Sequence, residues 1–203
     1  MEREKIDLVM KNLKERQFDP YFADSKEEVI PLVRRLMEGS TTAAMGGSET
    51  LAQTGVADMI RREYEVIEPA EGADRDGIKK AMRERFSADA FLLSANAITA
   101  DGRIFQEDGA STRVAPMIYG PDKVIIIAGI NKLTGSEAEA RRRVKAAACE
   151  NCRRRGFATP CAEDGRCHDC RVPARSCCTS VTLNFSRIPG RIKVILVGES
   201  LGI

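Results

Sequence analysis

The chain has no tryptophan, and aromatic residues make up only 5% of its 203 positions. None of them interleaves with the arginine runs at 141–143 and 153–155, which argues against a nucleic-acid surface built on base stacking. Those runs read instead as a solvated helix face, or as ion-pair partners within a homo-oligomer. An excess of charge of one sign is missing as well. The net charge of +2 leaves no global electrostatic case for nucleic acid or a membrane surface. No apolar run approaches the roughly 20 residues that a bilayer span requires. The first 17 residues are of mixed charge and lack the apolar centre of a secretion signal. These absences predict a cytoplasmic protein. Cysteine is missing from most of the chain too, since all seven cysteines fall between 149 and 178. Disulfide staples would be spread across elements, so the cluster points to metal or redox chemistry in a reducing compartment.

What is present suits one domain with a real core. Hydrophobic residues are 43% and charged residues 31%, ordinary values for a globular chain. Residues 1–38 read as N-terminal helices. The second of these opens on the capping-box pattern Ser25-Lys26-Glu27-Glu28 and carries Val29, Ile30, Leu32, Val33, Leu36 and Met37 on one face. Residues 41–150 read as an α/β core. Strands are expected at 41–45, 64–68, 90–94 and 124–128, and helices at 49–64, 74–86 and from the Ser136/Glu139 cap to about 149. Residues 97–106 form a hairpin with Asp101-Gly102 at its tip. A cysteine-rich loop at 151–178 precedes a second hairpin, 179–185 with 191–197, turned at Pro189-Gly190. The predicted class is α/β, a mostly parallel central sheet flanked by helices.

Three polar segments follow predicted strands. Gly46, Gly47, Ser48, Glu49 and Thr50 turn the first strand into a capped helix, where free backbone donors attract phosphate or carboxylate. Asn96, Thr99 and Asp101 follow the third strand, with Arg113 further on as a bidentate partner for an anion. Asn131 and Lys132 follow the fourth. Ligands of open α/β sheets collect beyond the carboxyl ends of strands, so the three segments are expected to share one edge and bind a small anion.

Cys161, Cys167, Cys170 and Cys177 are spaced C-x5-C-x2-C-x6-C, and four thiolates satisfy tetrahedral zinc or an iron–sulfur cluster equally well. Cys149 and Cys152 form another C-x2-C at a helix end and read as incidental. His168, the lone histidine, sits inside the knuckle and is expected to point outward.

Taken in series, these segments resemble the LUD-domain family, named for lactate utilisation. The resemblance rests on Gly46 to Leu51 with Gly55, on Ser94 to Gly102, on Arg113 to Pro121 and on Ala128 to Lys132. It extends to the cysteine loop from Thr159 to Cys177, similar to one carried by a branch of that family. It implies a fold related to ribose-5-phosphate isomerase and the CoA-transferases, and a place in organic-acid metabolism beside lactate-oxidation partner subunits. That context tilts the expected metal toward iron–sulfur. Related CoA-transferases carry a nucleophilic glutamate in Ser-Glu-Asn-Gly, where this chain has Ser94-Ala95-Asn96-Ala97. Ala95 therefore speaks against a covalent CoA ester. Ser111-Thr112 also departs from the Gly-Asn that the family pattern places before Arg113.

Overall fold

A computed structural model describes residues 2–203. In chain order the elements are α1 (Glu2–Glu15), β1 (Asp19–Ala23), α2 (Val29–Leu36), β2 (Thr42–Met45), α3 (Glu49–Gln53), α4 (Val56–Glu63), β3 (Glu65–Val66), α5 (Arg75–Glu84) and β4 (Ala90–Leu93). The second half holds β5 (Ala97–Thr99), β6 (Ile104–Asp108), α6 (Val114–Ile118), β7 (Lys123–Gly129), β8 (Leu133–Thr134), α7 (Glu137–Arg154), α8 (Pro160–Asp164), β9 (Thr179–Leu183) and β10 (Ile192–Val197).

Continuous apolar strands need cover on both faces, and here they receive it. The central sheet runs β1-β10-β7-β4-β2-β3 with every pairing parallel. Along β7, Val124, Ile126 and Ala128 enter one core with Leu13 of α1, Phe91, Val194 and Met117 of α6. Ile125 and Ile127 enter the other, against Val29 and Val33 of α2 and Met59 and Ile60 of α4. A second sheet, β8-β5-β6-β9, lies over the first core through Ile98 and Ile104. Its other face packs Ala97 and Phe105 against Ala140 and Val144 of α7. Among the described residues, no helix is long and apolar enough to cross a membrane.

The expected terminal hairpin does not form. Pro189-Gly190 does turn the chain, with Gly190 at φ +74°, but its two strands go to different sheets. Ile192–Val197 is apolar on both faces and slots in parallel between β1 and β7, whereas the half-buried Thr179–Leu183 pairs antiparallel with β6. The helix expected over 49–64 is broken as well. Gly55 sits at φ +70°, and the Thr54 hydroxyl donates to Thr50 O at 2.9 Å, closing α3 before α4 begins. Strand β1 was not expected at all; it holds an edge position where the missing N–H of Pro20 is tolerated.

One carboxylate ties the starts of β2 and β4. Asp89 Oδ2 accepts from Thr41 N and Thr42 N, both at 2.8 Å, and from the Thr41 hydroxyl at 2.9 Å. These donors hold its carboxyl well below the usual carboxylate range. A depressed carboxyl contributes stability that is complete above its unfolded value of about 4 and is lost as pH falls through the folded value. Asp89→Asn is therefore expected to cost about 1 kcal/mol at pH 7, below the usual range for charged hydrogen bonds because the group is half-exposed. Urea melts at pH 7 and pH 3 check this: the parent chain should lose more between the two than the variant does.

Candidate functional site

Three parallel strands end side by side: β2 at Met45, β4 at Leu93 and β7 at Gly129. Beyond them opens a cavity of about 1020 Å³. Gly47, Ser48, Glu49 and Thr50 line one wall, with Ser94 and Asn96 beside Lys132 and Arg113. The facing wall comes from the last turns of α7, through Asn151, Arg154 and Arg155, and from Ala174, Arg175, Ser176 and Cys178 of the cysteine-rich loop. Ser48 accepts from Leu51 N at 3.3 Å, so the predicted cap is present.

Lys132 is the chemical centre of this cavity. It is only 4% exposed, and its ammonium donates to Thr50 Oγ1 at 3.2 Å and Ser94 Oγ at 3.1 Å. Both partners are neutral hydroxyls. Burial, followed by the nearby Arg143 and Arg113 charges, lowers its pKa to about 8. Arg113 is held alongside. Its Nη2 donates to Glu107 O and approaches Asn96 Oδ1 at 3.5 Å, and burial pulls its pKa down while Asp108 opposes. Asp108 Oδ2 also accepts from Arg113 N at 2.9 Å and Val114 N at 3.1 Å, which fixes the turn into α6. The arginine stem crosses directly over Gly46, where a Cβ would meet Arg113 Cγ at 2.5 Å. Gly46 thus supports the site from beneath. At the mouth, Arg154 and Glu49 form an ion pair at 3.3 Å.

Three expected ligand contacts have other work. Asn131 grips the chain's own tail, accepting from Leu201 N at 3.1 Å and donating to Leu201 O at 3.3 Å. Thr99 and Asp101 are not among the residues lining the cavity. Asp101 pairs with Arg16 at 2.9 Å and Arg103 at 3.0 Å, tying the β5–β6 turn to the residue that follows α1, and Thr99 bonds to Asp101 within that turn. The reason is strand length: β5 spans only three residues, but that is enough to carry its far end away from β4. Ser94, the first residue of the segment 94–102 that follows the third expected strand, lines the cavity, and Asn151, Arg154 and Arg155 join it from α7 and its end without being expected there. The arginine run was visible, but nothing local distinguishes a cavity lip from a solvated helix face.

The cysteines divide into two groups. Cys149, Cys152 and Cys161 are buried together beside Phe157. Cys149 is pushed up to about 12 by burial, then by Cys161, Cys167 and Cys152. Cys177 lies instead among Lys145, Arg175 and Glu107, while Cys170 is half-buried and its carbonyl accepts from Arg175 at 2.8 Å. The expected set of Cys161, Cys167, Cys170 and Cys177 is therefore split. As the side chains stand, no group of three or more His, Cys, Asp or Glu among the described residues is gathered to hold an ion. His168 is exposed and pairs with Asp164 at 2.9 Å.

Comparison with known proteins adds two findings. The model of the LUD domain matches residues 6–197. The fold is similar to the crystal structure of a DUF162 family protein from Deinococcus radiodurans, with a TM-score of 0.61, 13% identity, and coverage of 97% of this chain and 98% of that one. No curated protein sequence matches the chain.

Proposed function

The chain belongs to the LUD-domain family, and from that premise we propose that its cavity binds a small anionic metabolite of the carboxylate class handled in lactate-type metabolism. The observation that carries this reading is the pairing of Lys132 with Arg113. Burial and then the Arg143 and Arg113 charges lower the proton affinity of Lys132, and burial and the Arg155 charge lower that of Arg113. The ammonium's two hydrogen-bond partners are neutral hydroxyls. Burying such charge is costly without a counter-ion, and an anionic ligand between them supplies one. Thr50 and Ser94 hold the ammonium in place, and Arg113 presents a planar fork suited to a carboxylate.

The chain binds and orients this anion; the oxidation itself belongs to partner subunits in the cytoplasm. Ala95 occupies the position where the resemblance to CoA-transferases would place a nucleophilic glutamate, which speaks against a covalent CoA ester. Calorimetric titration with 2-hydroxy carboxylates, 2-oxo carboxylates, phosphate and CoA tests the reading. Binding of at least one carboxylate supports it; if all fail against the isolated chain and its partner complex, it falls.

Gly47 gives a sharper test. A Cβ there would meet nothing within 4 Å, so Gly47→Val should leave stability within about 0.5 kcal/mol. The branched side chain stands in the cavity wall and should weaken carboxylate binding at least about tenfold, the equivalent of one charge-assisted hydrogen bond. Thermal melts and calorimetry on the same preparation separate the two effects.

A further inference from the structure

The geometry points to a second site on the far side of α7, and we propose that Cys149, Cys152, Cys161 and Cys167 form a four-thiolate zinc centre that anchors the cysteine-rich loop. This is independent of the anion reading. Cys149 and Cys152 are three residues apart near the end of α7, so both thiols project from one helical face. Cys161 stands in the first turn of α8, which packs on α7, and joins them in one buried cluster. Cys167 follows six residues later and lines, with Cys149, a shallow cleft on the surface.

Three features favour a metal over an idle group of thiols. The cleft is rimmed by Arg141, Arg142, Lys145 and Arg166. Zinc with four thiolates carries two net negative charges, which this rim would balance. The chain from 166 to 178 contains no helix or strand and exposes most of its residues, so it has little apolar packing to hold its course. A metal clip supplies what the core does not. Finally, Cys149, Cys152 and Cys161 are buried together in one cluster. A zinc tetrahedron with bonds of about 2.3 Å sets its sulfurs about 3.8 Å apart, a spacing suited to thiols clustered on neighbouring helices. An iron–sulfur cubane would place each sulfur on a different corner iron and force them much further apart. Two adjustments complete the set. Cys152 must turn from the Ser176 hydroxyl, now 2.9 Å away, and Cys167 must swing inward with its exposed loop.

The test uses the full chain, reconstituted anaerobically with zinc alone. One zinc per chain is expected, with four sulfurs at about 2.3 Å by X-ray absorption. The triple variant Cys170→Ser, Cys177→Ser, Cys178→Ser removes only exposed or half-buried thiols and should keep the same zinc content and sulfur shell. The double variant Cys149→Ser, Cys152→Ser should bind at least tenfold more weakly. If the double variant fails to fold, the triple variant decides. Loss of zinc from the triple variant, undiminished zinc in the double, or iron and sulfide recovered in place of zinc from cells would each overturn the proposal.

Discussion

Lys132→Met should bind carboxylates and phosphate about 100-fold more weakly than the parent chain, while folding at least as stably. Truncating one member of a buried charge contact typically costs 2–5 kcal/mol, and about 3 kcal/mol is two decades of affinity. Methionine fills a similar volume, so the cavity floor persists without its charge. The stability expectation follows from proton linkage. The Lys132 pKa is about 8 in the folded chain and about 10.4 in an unfolded one, so between those values the unfolded state holds more protons. Stability of the unliganded parent therefore rises with pH across that window, and the penalty of the buried charge is complete below it. The variant lacks this rise and starts from the relieved level. Affinity moves the other way: anion binding by the parent should weaken above about pH 8 as the ammonium is lost. Calorimetry from pH 6 to 10, with urea melts in the same buffers, reads both slopes. Equal affinity in parent and variant would remove Lys132 from the site.

Gly129→Ala should destabilise the chain by about 3 kcal/mol and abolish anion binding with it. A Cβ at this position would meet Glu199 O at 2.5 Å, Leu201 N at 2.6 Å and Asn131 Oδ1 at 2.6 Å. Two of the three are backbone atoms, so no rotamer change relieves the clash. Gly129 closes β7 opposite Val197, and Ile130 N donates to Glu199 O at 3.1 Å immediately after it. Moving the tail therefore disturbs the turn that presents Lys132. Gly47→Ala, placed in open space, is the matched control in the same denaturation series.

The parts of the fold legible in the sequence were those with local signatures. Ser48 and Ser136 cap their helices as the spacing predicts, and the apolar run of β7 lies in the middle of a parallel sheet. What escaped was set by partners far away in the chain. Asp19–Ala23 carries a proline and an aspartate, and only pairing with β10 makes it a strand. Pro189-Gly190 is a strong local turn signal, yet the hydrophobicity of Ile192–Val197 on both faces outweighs it. The site divides along the same line. Gly47, Ser48, Thr50, Asn96, Arg113 and Lys132 come together because each lies near a strand end or strand-end turn. Arg154 and Arg155 reach the cavity only because α7 runs to Arg154, beyond the expected end near 149. Cys149 and Cys152 looked incidental in sequence because their partner, Cys161, joins them only once α8 folds back on α7.

The position of β10 also bears on the order in which the molecule can assemble. Strand β1 has no other sheet neighbour, so residues 19–23 must wait for residues 192–197 before they can pair. Until then β7 presents a bare apolar edge, and α1 has only half a sheet to rest on. Closing contacts so far apart is slow, and an open edge invites pairing with another chain. A ribosome must release the chain through residue 197 before the sheet is complete, which makes chaperone capture in that interval a determinant of yield.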